Sequence, residues 1–170
     1  AWSPVDAALA KIDQYDWLVF SSANGVRYLL DRLLASGRDM RVLGGLRIAT
    51  VGSKTADELR KYHLHADLYP DEFRAEALAE ALAPDASGKR FLLARASRGR
   101  EVLAETLRQA GAEAEQMVVY ESHDVTAADP DVLAALEAGT LDWTTVTSSA
   151  IARSLAHLFG PRLRKTRLAS

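Results

Sequence analysis

Apolar residues recur along this chain in two alternating rhythms. The opening "SPVDAALAKIDQYD" spaces Val5, Ala8, Leu9 and Ile12 at helical intervals, with Ser3 as a candidate N-cap and Pro4 behind it. "WLVF" (17–20) is a short unbroken apolar run, the mark of a strand buried on both faces. "SSANG" interrupts it, and Val26, Leu29, Leu30, Leu33 and Leu34 then keep a helical period as far as Gly37. The pair repeats: "LRIATVG" as strand, "SKTADELRKYHL" as helix, and "HADLYP" as a short strand or edge ending at Pro70. "RAEALAEALAP" comes next as helix, "RFLLARA" as strand, "SRGREVLAETLRQAGA" as helix and "EAEQMVVYES" as strand. Strands separated by helices predict right-handed crossovers and an α/β fold, a parallel sheet flanked by helices of flavodoxin-like type.

The rhythm changes after His123. "DVTAADP" reads as a connector, "PDVLAALEAG" as a new helix, and the boundary is placed near Asp124. An echo then arrives. "DWLVFSSANGVRYLL" (16–30) returns as "DWTTVTSSAIARSLA" (142–156), with Ser21 and Ser22 matching Thr147 and Ser148 and Arg27 matching Arg153. "LRIAT" after the first copy is answered by "TRLAS" after the second. The reading is of two similar α/β domains: 1–120 nearly complete, 121–129 a linker, and 130–170 part of a second domain. A second domain cut at that strand would leave one face of its sheet bare.

Composition narrows the chemistry. Of 170 residues, 48% are hydrophobic and 26% charged, the profile of a water-soluble globular chain. Cysteine is absent, which removes disulfides, thiol nucleophiles and thiolate metal sites. No apolar run approaches a membrane span and no basic-then-apolar leader opens the sequence, so the expectation is a cytoplasmic protein without membrane contact. A net charge of −2 argues against a nucleic-acid partner.

In an open parallel sheet, ligands lie beyond the carboxyl ends of the strands. Those ends carry "SSANG" (21–25), "VGSKT" (51–55), "YPDEF" (69–73), "ARASRGR" (94–100), "VYES" (119–122) and "TSS" (147–149). Small hydroxylated turns at helix N-termini present backbone N–H groups to anions. Ser21, Ser22, Ser53 and Thr55 serve equally as helix caps or ligand contacts. Lys54, Arg95, Arg98 and Arg100 offer charge for a carboxylate or phosphate, with ordinary surface charge as the alternative. Tyr120, closing "MVVY" where the connector begins, could turn its phenol into a cleft. No nucleotide fingerprint, metal-ligand spacing or nucleophile elbow is present; His63 and His65 read as exposed loop residues.

The ordered set "DWLVFSSANGV", "VGSKTADEL", "YPDEFRAEALAEAL", "LLARASRGREVLAETLRQAGAEAEQMVVYES" and "TVTSSAIARSLAHL" resembles the uroporphyrinogen-III synthases. That resemblance implies two α/β domains joined by a two-stranded linker, one inserted in the other. It implies an enzyme, a lyase without cofactor or metal, acting as a monomer. The reaction closes the linear tetrapyrrole hydroxymethylbilane to uroporphyrinogen III with inversion of ring D and loss of water. By the resemblance Tyr120 lends a proton to the departing hydroxyl, and Ser21, Ser22, Asn24, Ser53, Thr55 and Ser148 hold the polycarboxylate substrate. Part of the family pattern is missing here, so residues 1–170 alone are expected to be inactive or nearly so. A silent α/β module binding an anionic regulator is the competing reading, distinguished by having no need of the Tyr120 phenol. A receiver or sugar-phosphate domain fits less well, because "FSSAN" stands where a receiver carries carboxylates.

Overall fold

Strand β1, Trp17–Phe20, is buried on both faces along its whole length, and the rest of the first unit is built around it. A computed structural model describes residues 2–99 and 101–170. They fall into two compact units, Ala1–Ser122 and His123–Ser170.

In the first unit, helix α1 (Ser3–Ala10) precedes β1, and α2 (Ala23–Ala35) crosses to β2 (Arg47–Thr50). Helices α3 (Ser53–Arg60) and α4 (Ala75–Leu82) lead to β3 (Arg90–Ala96), and α5 (Val102–Gln109) leads to β4 (Glu113–Tyr120). The strands are all parallel in the order β2-β1-β3-β4. "HADLYP" contributes a single parallel bridge, Ala49 to Leu68, at the outer side of β2. Alternation along the strands divides the core. Leu18, Phe20, Leu92 and Ala94 pack beneath α1, α2 and α3. Trp17, Val19, Phe91 and Leu93 pack beneath α4 and α5. Both sheet faces are thus covered, which is why these strands are continuous apolar runs.

Two local expectations change. Ser3 is the first residue of α1 rather than its cap; Trp2 occupies the cap position and no side chain caps the helix. Helix α5 begins at Val102, later than the helical reading of "SRGREVLAETLRQAGA". Gly99 has φ +148°, a backbone angle glycine alone adopts cheaply, so the chain bends before the helix starts.

The second unit holds α6 (Pro130–Ala138), β5 (Trp143–Thr145), α7 (Ser149–Phe159) and β6 (Arg167–Ala169). Its geometry repeats the first unit's opening. Trp17 pairs with Arg47 and Trp143 with Arg167, both in parallel ladders. The Asp16 carbonyl accepts from Arg47 N–H at 2.9 Å, and that of Asp142 from Arg167 N–H at 3.0 Å. Each arginine lies over its tryptophan ring, at 4.2 and 5.5 Å. Ser22 and Ser148 each cap the following helix, accepting from Gly25 N–H at 3.0 Å and Ile151 N–H at 3.2 Å. The copies differ in burial: Trp17 is 2% exposed, whereas Trp143 and Leu168 are each 58% exposed. Among the described residues no helix is long and apolar enough to cross a membrane.

Candidate functional site

Strand order reverses direction between β1 and β3, because β1 connects to one neighbour and the chain later returns to its other side. In open α/β sheets such a switch point opens a crevice at the carboxyl ends of the strands. The register brings the ends together: Phe20 pairs with both Thr50 and Ala94, and Ala96 pairs with Tyr120. A cavity of about 260 Å³ lies there, lined by Ser21, Ser22, Arg95, Arg98, Gly99 and Tyr120 among others. A more open hollow of about 600 Å³ runs along β4, with Trp2, Tyr28 and Val118 in its wall. Tyr120 borders both.

Tyr120 reaches this position through an irregularity. Arg95 pairs with Val118 but Ala96 pairs with Tyr120, leaving Val119 as an extra residue in β4. A bulge of this kind breaks side-chain alternation and re-aims the residues beyond it. Val119 and Tyr120 consequently both meet the core beneath α2. There the Tyr120 ring stacks on Tyr28 of α2, centroids 5.4 Å apart and planes 19° from parallel. Its hydroxyl lies 3.0 Å from Ser22 Oγ. Ser22, in extended backbone, simultaneously accepts the Gly25 N–H in the first turn of α2. The N–H groups of Ala23 and Asn24, ahead of it, have no partner within the helix by helical geometry. Ser21 Oγ makes a long contact of 3.5 Å to the Ala94 carbonyl.

The other expected residues divide. Asn24 is exposed on α2 and its carboxamide oxygen accepts from Arg27 at 3.1 Å. Ser53 opens α3 and Thr55 is buried in its first turn, both just past the carboxyl end of β2. Gly52 caps α3, and its carbonyl accepts the Thr50 hydroxyl at 3.2 Å and the Thr55 and Ala56 N–H groups at 3.1 Å. Phe73 lies against Gly52 so closely that a Cβ there would come within 2.5 Å of its ring, which is exposed and would have to move aside. Lys54 is exposed in the first turn of α3. Ser148 caps α7 in the second unit.

Arg95 has a different task from the one expected of it. Its side chain is only 15% exposed and bonds Glu101, Gln116 and the carbonyls of Ala96 and Gly99, the last two at 3.1 Å. Those bonds tie Ala96, Gly99 and Glu101 to the neighbouring strand through Gln116. Gln116 and then Arg95 hold the Glu101 carboxyl below the usual carboxylate range by hydrogen bonding. Arg98 is exposed at the cavity wall, and Arg100 lies outside the described residues. Tyr28, Gln116, Glu101 and Phe73 were not singled out from the sequence. Phe73 left a faint signal as an aromatic among polar neighbours; Tyr28, Gln116 and Glu101 left none. His63 and His65 are exposed beyond α3, as expected, and no cluster suited to a metal occurs among the described residues.

Known proteins share both the sequence and the fold of this chain. The uroporphyrinogen-III synthase of Synechococcus elongatus is 35% identical over 164 residues, covering 96% of this chain and 62% of that protein. The crystal structure of uroporphyrinogen III synthase from Thermus thermophilus superposes with a TM-score of 0.64 at 20% identity, covering 98% of this chain and 66% of that one. That of uroporphyrinogen-III synthetase from Helicobacter pylori gives 0.62 at 21%, covering 91% and 67%. These two likenesses establish the shared parallel α/β fold. The chain thus spans about three fifths of the length of the curated relative. The family pattern described as uroporphyrinogen-III synthase HemD matches residues 1–170, and on that match the chain belongs to the uroporphyrinogen-III synthase family.

Proposed function

We propose that this chain supplies the substrate-gripping turns and the proton donor of a uroporphyrinogen-III synthase, which closes hydroxymethylbilane to uroporphyrinogen III. The observation that carries the proposal is the Tyr120 hydroxyl, 3.0 Å from Ser22 Oγ at the wall of the switch-point cavity. The substrate is a flexible chain bearing eight carboxylates. Free N–H groups at the start of α2 and α3, with the hydroxyls of Ser21, Ser53 and Thr55, suit such a ligand without a large positive surface, and Ser22 stands among them beside Tyr120. Asn24 and Ser148 complete the proposed set.

Proton transfer from the Tyr120 phenol to the terminal hydroxyl lets the C–O bond break, and water departs with the electron pair. The pyrrole nitrogen supplies electrons to the carbon left behind, giving an electrophilic azafulvene that the substituted carbon of ring D attacks. In the spiro intermediate the older bond, from that carbon to the methylene bridging ring C, breaks to leave a second azafulvene on ring C. The free α-carbon of ring D attacks this to close the macrocycle with ring D inverted. The proton released when the closing ring regains aromaticity returns to Tyr120. The balance is loss of one water with no net oxidation, so the reaction asks for no electron carrier. The rest of the task is orientation, holding the chain so that uninverted closure is disfavoured. We place the protein in the cytoplasm as a monomer with two α/β domains and a linker, and without nucleic-acid or membrane partners. The regulatory-module reading uses the same turns but gives the Tyr120 phenol nothing to do.

The test supplies hydroxymethylbilane to the full-length protein and separates the product isomers by chromatography. Isomer III should predominate; isomer I alone, at the spontaneous rate, would remove the enzymatic reading. Assayed as an isolated 170-residue segment, the chain should turn over slowly or not at all, because it spans 62% of the Synechococcus synthase.

A further inference from the structure

We infer that Ser22 is a positioning residue for Tyr120 rather than a ligand of the substrate, an assignment that rests on the proton-donor role proposed above. A serine hydroxyl has one proton and two lone pairs. One lone pair is occupied by the Gly25 N–H at 3.0 Å, which ties the oxygen to the first turn of α2. The 3.0 Å contact to Tyr120 uses either the proton or the second lone pair. When Ser22 donates, the phenol proton is left free to face the cavity, the only arrangement that can protonate a leaving group there.

The reaction itself selects that arrangement. As the C–O bond of the hydroxymethyl group breaks, the Tyr120 proton passes to the departing oxygen. The phenolate that remains can accept but not donate, so the Ser22 proton must point at it. A bond to an ionised acceptor is about twice as strong as the neutral one it replaces. The contact therefore tightens during the chemical step, which speeds turnover without strengthening substrate binding. The β4 bulge at Val119 turns the ring toward Ser22, and the stack on Tyr28 holds it against rotation. Helix α2 supplies Tyr28 and is capped by Ser22, so one rigid element grips the phenol at its oxygen and at its face.

A kinetic double-mutant cycle in the full-length protein tests this. Ser22→Ala should lower kcat about tenfold, the equivalent of one lost charge-assisted contact, with KM within about twofold. Ser22→Thr, which keeps the hydroxyl, should restore most of the rate. In a Tyr120→Phe background, Ser22→Ala should have no further effect on kcat. Ser22→Gly keeps most of the cap competence, so it serves if the alanine variant fails to fold. A raised KM at unchanged kcat would make Ser22 a substrate ligand and overturn the inference. Independent, multiplicative losses from the two substitutions would overturn it too. Wild-type kcat in Tyr120→Phe with isomer III still formed would sink the inference while sparing the synthase reading; isomer I alone from the unaltered protein would end both.

Discussion

The two Asp-Trp copies share register, arginine stacking and serine cap, yet bury their tryptophans very differently, and that contrast makes a stability prediction. Trp17 is 2% exposed, stacked parallel on Phe91 at 5.9 Å within the core beneath α4 and α5. Trp17→Ala empties that space, and buried Trp-to-Ala changes cost about 3–5 kcal/mol. For a unit the size of Ala1–Ser122, a loss of this size lowers the melting temperature by on the order of 15 °C. Trp143 is 58% exposed, and its clearest contact is the Arg167 guanidinium at 5.5 Å. An exposed cation–π contact contributes about 0.5–1 kcal/mol, so Trp143→Ala should cost no more than that. Guanidinium unfolding of the 170-residue chain, followed by far-ultraviolet circular dichroism, measures both. Equal losses from the two substitutions would refute the reasoning, since they would mean that burial does not decide what the shared motif contributes.

Acid, a turn glycine and the phenol each give a further expected outcome. The Asp16 carboxyl accepts Arg90 N–H at 2.9 Å and Lys89 Nζ at 3.0 Å, the backbone bond first in weight, and is held below its ordinary 3.8. Because the folded value is the lower one, its stabilisation is complete above about pH 5 and fades as pH falls through 3.8 toward the folded value. Urea midpoints of wild type and Asp16→Asn should therefore differ at neutral pH and converge in acid; a constant gap would contradict this. Gly111 has φ +87° with Ser87 Oγ 3.3 Å from where a Cβ would stand, so Gly111→Ala should cost about 1–2 kcal/mol in the same assay. Tyr120→Phe, by contrast, should leave folding intact and slow turnover of the full-length protein markedly; unchanged turnover would take Tyr120 out of the mechanism.

The strands and the order of the helices between them could be read from the chain because doubly covered parallel strands are apolar without interruption, and "WLVF" and "RFLLARA" state this directly. The echo was legible for a related reason: Ser22 and Ser148 are small cap residues between a strand and a helix, a local requirement that sequence records. Long-range choices were not legible. Nothing in "MVVY" announces that Val119 is an extra residue, because the bulge arises from pairing with β3. Arg95 looked available because its partners Glu101 and Gln116 come from a loop and a neighbouring strand that only the fold brings together. Trp17 and Trp143 look alike in sequence, and their burial depends on elements far away in the chain. Ser3 misled because a serine before a helical proline reads as a cap, while the helix begins one residue earlier.

The central claim is that a polycarboxylate tetrapyrrole is held at the carboxyl ends of β1, β2, β3 and β4 by turns rich in free N–H groups. Amide NMR of the 18.5 kDa chain titrated with uroporphyrinogen III under anaerobic conditions tests it most directly. Shifts should concentrate at residues 21–25, 52–55, 96–99 and 119–121. Saturable shifts centred instead on the opposite strand ends, around Asp16, Arg90 and Glu113, would contradict the account.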